Sequence, residues 1–234
     1  MRFSIVTLFP ELFEPFLKAT LVGRGRAQGA IDVDLVDLRP FGLGKHRSVD
    51  DTPYGGGSGM VLRVEPIIAA LEDVDARAAE RGEAPAHRVL LTPQGQPYAQ
   101  ARARSLASVA HVVLIAGRYE GFDERVRSFV HEEISLGDFV LLGGEIAAMA
   151  IVESVTRLLP GVLGNEASAM SESHSEALGG QLEYPQYTRP VEFRGLGVPE
   201  VLKNGNHKEI DAWRRAESDA RTLARRPDLA RRKT

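Results

Sequence analysis

Short apolar runs that alternate with segments of helical periodicity are the strongest constraint this chain carries. Phe3–Phe9 and Ile31–Leu38 have the composition of strands, and the second, IDVDLVDL, alternates apolar and acidic residues with the period of a half-exposed strand. Pro10 stands between them where a helix can begin. Further on, Pro66 falls in the first turn of a pattern that sets Ile67, Ile68, Leu71 and Val74 on one helical face. Arg88–Pro93, a helix around Tyr98–Ser108, His111–Gly117, Asp138–Gly144 and a long helix from Glu145 to about Leu159 continue the alternation. Strands that alternate with helices in this way predict an α/β domain with a largely parallel sheet over residues 1–160.

The texture changes at Gly161. Residues 161–181 are rich in Gly, Ser, Ala and Glu without apolar periodicity and are expected to form a flexible linker. Residues 182–234 begin with a Pro-rich stretch and continue with helical patterns, one opened by Asn206 or His207 and running through Trp213, so a small, mainly helical second domain is expected. Hydrophobic residues make up 43% of the 234, enough for a real core, and no window approaches the apolar length of a membrane span. The start lacks a basic segment followed by a long apolar one, so it does not have the form of a signal peptide, and a cytoplasmic protein is expected. With no cysteine, disulfides and thiolate metal sites are excluded. Net charge is −3, but residues 203–234 hold ten Lys and Arg against five Asp and Glu, a balance of +5 that leaves −8 for the rest. An anionic partner near the C-terminal end fits that asymmetry, as does a solvated basic helix.

The stretch DDTPYGGGSGM, Asp51–Met60, places four glycines in five residues beside Tyr54. A phosphate-binding loop of the Walker type needs a Lys and then Ser or Thr at a helix start, and none follows here. Three other glycine-bearing turns fall at the ends of predicted strands: Thr92–Gly95, Ala116–Gly121 and Ser135–Glu145. Open α/β sheets bind ligands at such ends. Backbone amides and carbonyls, with Leu136, Val140 and Leu141 as apolar lining, suit an adenine and a ribose better than a triphosphate. The six histidines show no metal-ligand spacing; His46 and Arg47 face either an anionic partner or only solvent.

Taken in order, FPELF, VDDTPYGGGSGM, LTPQGQ, GRYEGFDERV, ISLGDFVLLGGE, RLLPGVLGNEAS, YPQYTRP and VPEVLKNGNHKEIDAWRR resemble the bacterial tRNA (guanine-N1)-methyltransferases of the SPOUT superfamily over almost the whole chain. The resemblance implies a deep trefoil knot formed by the segments around Thr92, Gly117 and Gly143, and an obligate homodimer. It implies S-adenosylmethionine as methyl donor, bound at Leu91, Pro93, Gly117, Tyr119, Glu120, Leu136, Gly137, Asp138, Phe139, Val140, Leu141, Gly143 and Gly144. The methyl acceptor it implies is N1 of the guanosine just 3′ of the tRNA anticodon, position 37, with the anticodon stem-loop held partly by the C-terminal domain.

By the same resemblance Arg157 assists the target guanine, and the general base, an aspartate in the family's linker, falls on Glu172 in Ser171-Glu172-Ser173-His174. Glu176 is the alternative base, because about three extra residues near Gly179–Gln181 loosen the local alignment. Tyr54, Gly55, Gly56, Gly57, Ser58 and Gly59 become an active-site loop on the tRNA side, with Ser58 where the family commonly has proline. By the same resemblance Mg²⁺ takes part in methyl transfer; no ligand set is legible here, and Glu120 is the one candidate. Two other readings stand beside this one: a SPOUT methyltransferase acting on another RNA, and an RNA-binding homologue that lost its base.

Overall fold

The computed structural model describes residues 1–164 and 171–230. The chain divides into two compact units, Met1–Gly164 and Asn165–Thr234.

The first unit is built on a five-stranded sheet. Its strands are β1 (Arg2–Thr7), β2 (Asp32–Asp37), β5 (His87–Pro97), β6 (His111–Ala116) and β7 (Glu132–Ser135), and the two-residue strands β3 (Asp50–Asp51) and β4 (Val61–Leu62) form a separate antiparallel ribbon. In the sheet the order is β2-β1-β6-β5-β7 and every pairing is parallel. Strands joined in parallel need crossovers. These come from α1 (Glu14–Lys18) and α2 (Thr20–Ala27), from α3 (Val64–Glu80), from α4 (Gln100–Ala107) and, between β6 and β7, from a segment with a 3-10 turn at Glu124–Phe129; α5 (Glu145–Thr156) follows the last strand.

Both faces of the sheet are covered, so its central strand β6, HVVLIA, is buried along its whole length. Period 2 divides it: Val112, Leu114 and Ala116 join Phe13, Leu17, Leu106, Ile151 and Val155 in one core, while Val113 and Ile115 join Ile67, Leu71 and Val74 of α3 in the other. Ile67, Leu71 and Val74 are buried as the helical spacing predicts, and Ile68 is half-buried.

One strand expectation is corrected. Asp138–Gly144 is a loop, and the last strand of the sheet is β7, just upstream. Its apolar residues face solvent, with Val140 82% and Leu142 90% exposed. Gly137, at φ +156°, turns the chain out of the sheet directly after Ser135 and Leu136. The helix that follows ends at Thr156 rather than near Leu159.

The second unit has an exposed hairpin of β8 (Glu192–Phe193) and β9 (Leu196–Gly197), then α6 (His207–Arg225) and the short α7 (Pro227–Ala230). Asn206 opens α6, its side chain accepting from the Glu209 amide and donating to the Glu209 carboxylate, 2.8 Å away. Of the residues expected in a linker, 171–181 form hydrogen-bonded turns. Ser175 is buried, Gln181 donates to Asp219 at 2.8 Å, and the Glu183 amide donates to Ser173 at 3.0 Å. Within that stretch, residues 165–170 lie outside the described residues.

Candidate active site

Three loops meet where β5, β6 and β7 end. The first is an excursion of β5 itself: Ile134 pairs with Leu91 and again with Gln96, so Thr92–Gly95 leaves the sheet and returns. Gly95 makes the return possible, because a Cβ there would stand 2.5 Å from the Ile134 amide nitrogen. The second loop, Gly117–Gly121, follows β6 and holds Tyr119 in a left-handed conformation, φ +63°. The third, Leu136–Gly144, leads into α5.

These loops pack on one another through their backbones. Gly144 donates its amide to the Gly117 carbonyl at 2.8 Å, and Arg118 and Gly143 form an antiparallel bridge. A Cβ on Gly117 would meet the Phe122 ring at 2.2 Å, and one on Gly144 would meet the Ala116 Cα at 2.8 Å. The glycines are therefore required by the contact between loops, whatever ligand the loops hold.

Between them lies a cavity of about 290 Å³. Leu91, Pro93, Gly117, Tyr119, Glu120, Leu136, Phe139, Val140, Leu141, Gly143 and Gly144 line it, while Gly137 and Asp138, in the same loop, do not. Sequence reasoning missed further lining residues, among them Gln94, Arg118, Phe122, Glu124, Arg127 and Leu142. Arg127 is tied to Glu124 at 2.8 Å and to Gln94 and Glu133. Asp123 caps the turn behind, and the Arg125 guanidinium beside it holds its carboxyl below the usual range. The wall combines apolar side chains with the carboxylates of Glu120 and Glu124 and with loop backbone. That donor set fits a cofactor bearing a flat base, a ribose and a positive charge. Among the described residues no three His, Asp or Glu side chains gather as a metal site would require.

The glycine cluster borders this cavity. The ribbon of β3 and β4 carries residues 52–60, and Gly55, Gly56, Gly57 and Gly59 all have positive φ. Tyr54 at its start is fully exposed, and Ser58 is exposed. Glu120 donates its amide to the Met60 carbonyl at 2.9 Å, and a Cβ on Gly59 would lie 2.6 Å from Glu120 Oε1. The loop thus rests on the second cavity loop.

A second cavity, about 560 Å³, opens at the ends of β1 and β2 and shares Tyr119 with the first. His46 and Arg47 reach it from a hairpin turn closed by Leu43 and Ser48, and Arg39, Asp37 and Asp50 complete its charged lining. Arg157 caps α5 in the first unit; Glu172 and Glu176 lie in the turns of the second, where the Glu172 carbonyl accepts from the Ser175 amide at 3.0 Å.

A parallel α/β sheet with glycine-built loops around a cavity at its carboxyl ends is the architecture of a nucleotide-cofactor-binding protein. Comparison with known proteins narrows the class. The family model described as tRNA (Guanine-1)-methyltransferase TrmD matches residues 1–232. The chain is 62% identical to the tRNA (guanine-N(1)-)-methyltransferase of Sorangium cellulosum, covering 99% of this chain and 94% of that one. It is 52% identical to a protein of the same name from Thermus thermophilus, over 99% and 92%. A third, from Geobacillus kaustophilus, is also 52% identical, over 98% and 91%. The chain belongs to the tRNA (guanine-1)-methyltransferase family.

Proposed function

We propose that this protein transfers a methyl group from S-adenosylmethionine to N1 of the guanosine immediately 3′ of the tRNA anticodon. The observation that carries the proposal is the cavity at the ends of β5, β6 and β7, in a chain that matches the family along nearly its entire length. In this reading the protein is a cytoplasmic enzyme of the SPOUT superfamily whose three cavity loops form a trefoil knot. The close backbone passages at Gly95 and Gly144 support so tight a crossing.

The cofactor supplies an electrophilic methyl group on a sulfonium. The chain must then do three things. Leu136, Val140 and Leu141 bury the base and keep water from it, and the loop amides and carbonyls orient it. Guanine N1 carries a proton and attacks poorly until that proton leaves, so a carboxylate within reach must accept it; Glu172 takes this role. Deprotonation drives charge onto O6, which the Arg157 guanidinium stabilises. Glutamate in place of the family's aspartate extends the side chain by about 1.5 Å. Its working range is then set by the turns at 171–181. The glycine loop 55–59 offers backbone without side chains to the tRNA, with Tyr54 as a stacking face.

A homodimer completes the reading. Val140, Leu142 and Ile146 are exposed apolar residues beside the cavity, and a second copy of the chain would cover them.

Labelled S-adenosylmethionine and an unmodified tRNA transcript test the activity. Label should enter the transcript and be lost when the guanosine after the anticodon is replaced; label that persists would mean another target, and none at all would mean no methyltransferase. For the base, Glu172→Gln should reduce single-turnover methylation by about a hundredfold or more, and Glu176→Gln should leave it near the parent. The reverse pattern would move the role to Glu176.

A further inference from the structure

Glu145 is a carboxylate that the proposed chemistry leaves unused, yet it is 2% exposed. Charged groups are seldom buried unless paired. It is the first residue of α5, where the helix dipole favours negative charge. Its Oε1 accepts two hydrogen bonds, from Thr7 Oγ1 at the end of β1 and from Arg118 Nε in the loop after β6, each at 3.1 Å. The Thr7 hydroxyl is itself aimed by the Phe9 amide, which donates to it at 3.1 Å. Gly143 fits beside the other oxygen, since a Cβ there would lie 2.4 Å from Oε2. One carboxylate thus joins β1, the second cavity loop and the start of α5.

What it holds is the Arg118 side chain, which lines the first cavity. With Nε committed to Glu145, the terminal amino groups make no hydrogen bond among the described residues. The guanidinium lies 4.3 Å from the centre of the Phe9 ring. Arg39, from the second cavity, lies 5.0 Å from the same ring, and it has no carboxylate within ion-pairing distance among the described residues. Two guanidiniums share one aromatic ring, and the buried carboxylate of Glu145 pairs with only one of them, through its Nε, which leaves the terminal amino groups of Arg118 for a ligand of the first cavity.

We infer that Glu145 is a positioning residue that fixes Arg118 against Phe9 so that Arg118, with Arg39, binds an oxyanion of the substrates. The source is either a phosphate of the RNA or the carboxylate of the methyl donor. The inference rests on the proposed reaction, but its test reads binding rather than turnover.

The parent, Arg118→Ala, Glu145→Gln and the double variant are compared, with tRNA binding measured against salt and S-adenosylmethionine binding by calorimetry. Arg118→Ala should weaken one ligand by roughly tenfold, as loss of a hydrogen bond to a charged group does. If the ligand is tRNA, the slope of log affinity against log salt should fall by about one as well; if it is S-adenosylmethionine, the oxyanion is the donor's carboxylate. Glu145→Gln should weaken the same ligand in the parent and add nothing in the Arg118→Ala background. Equal cost in both backgrounds would make Glu145 merely structural and overturn the inference, as would unchanged binding of both ligands in Arg118→Ala. Should Glu145→Gln not fold, Thr7→Val takes its place, with the same coupling to Arg118→Ala expected. A parent that binds both ligands but methylates nothing would defeat the proposed function and leave this result readable.

Discussion

Gly144 shows how a residue read as ligand contact answers first to packing. Its φ is −81°, open to any residue, so no backbone strain demands glycine. The demand comes from behind, where a Cβ would press on the Ala116 Cα at the end of β6. Gly144→Ala should therefore cost about 1–3 kcal/mol of overpacking, read as a lower thermal midpoint without cofactor present. His111 is a second residue whose surroundings decide its chemistry. It is 4% exposed, its Nε2 pairs with Ser4 Oγ at 3.0 Å, and its Nδ1 has no partner among the described residues. Burial holds its pKa below 6.5; Arg2 and Arg81 push the same way, against Glu83 and Asp75. The unfolded chain takes up a proton near pH 6.5 that the folded one refuses, so unfolding is favoured as pH falls below that value and the full stability is present above it. Thermal midpoints should drop as pH falls below about 6.5, and His111→Gln should flatten that drop; an equal slope in both proteins would refute it.

At the scale of elements, the sequence was legible where period and burial agree. The apolar face of α3, the alternation of β2 and the apolar run of β6 could be read directly, because their apolar residues meet cores formed by neighbours of the same chain. Asp138–Gly144 could not. Its composition is that of a buried strand, but its side chains point to a cavity and to solvent, and periodicity does not distinguish apolar residues kept for a core from those kept for a ligand or a partner. The strand that completes the sheet, Glu-Glu-Ile-Ser, was hidden for the opposite reason. It lies at an edge, and its Glu132 is held by His87 and Arg102 rather than by apolar packing. Helix α6 was legible from its cap. Asn206→Ala should cost about 1 kcal/mol, measured by urea unfolding and seen as a lower midpoint with unchanged slope.

For the whole molecule, the exposed apolar loop is the feature to test. If Val140, Leu142 and Ile146 form a subunit contact, Leu142→Asp should shift sedimentation from dimer to monomer. A parent that sediments as a monomer at micromolar concentration would refute the dimer outright. No helix among the described residues is long and apolar enough to cross a membrane. By itself the sequence determined the parallel α/β class, the helical periods, the glycine turns and, through resemblance, the family, since these depend on local pattern and residue order. Only the tertiary structure decided that Ile134 pairs twice with β5, that Gly59 abuts Glu120, and that Thr7 and Arg118 share the buried carboxylate of Glu145. Thr7 and Glu145 stand 138 residues apart in the chain, and only the parallel crossovers bring them together. No local period encodes a contact made by the ends of strands that far apart.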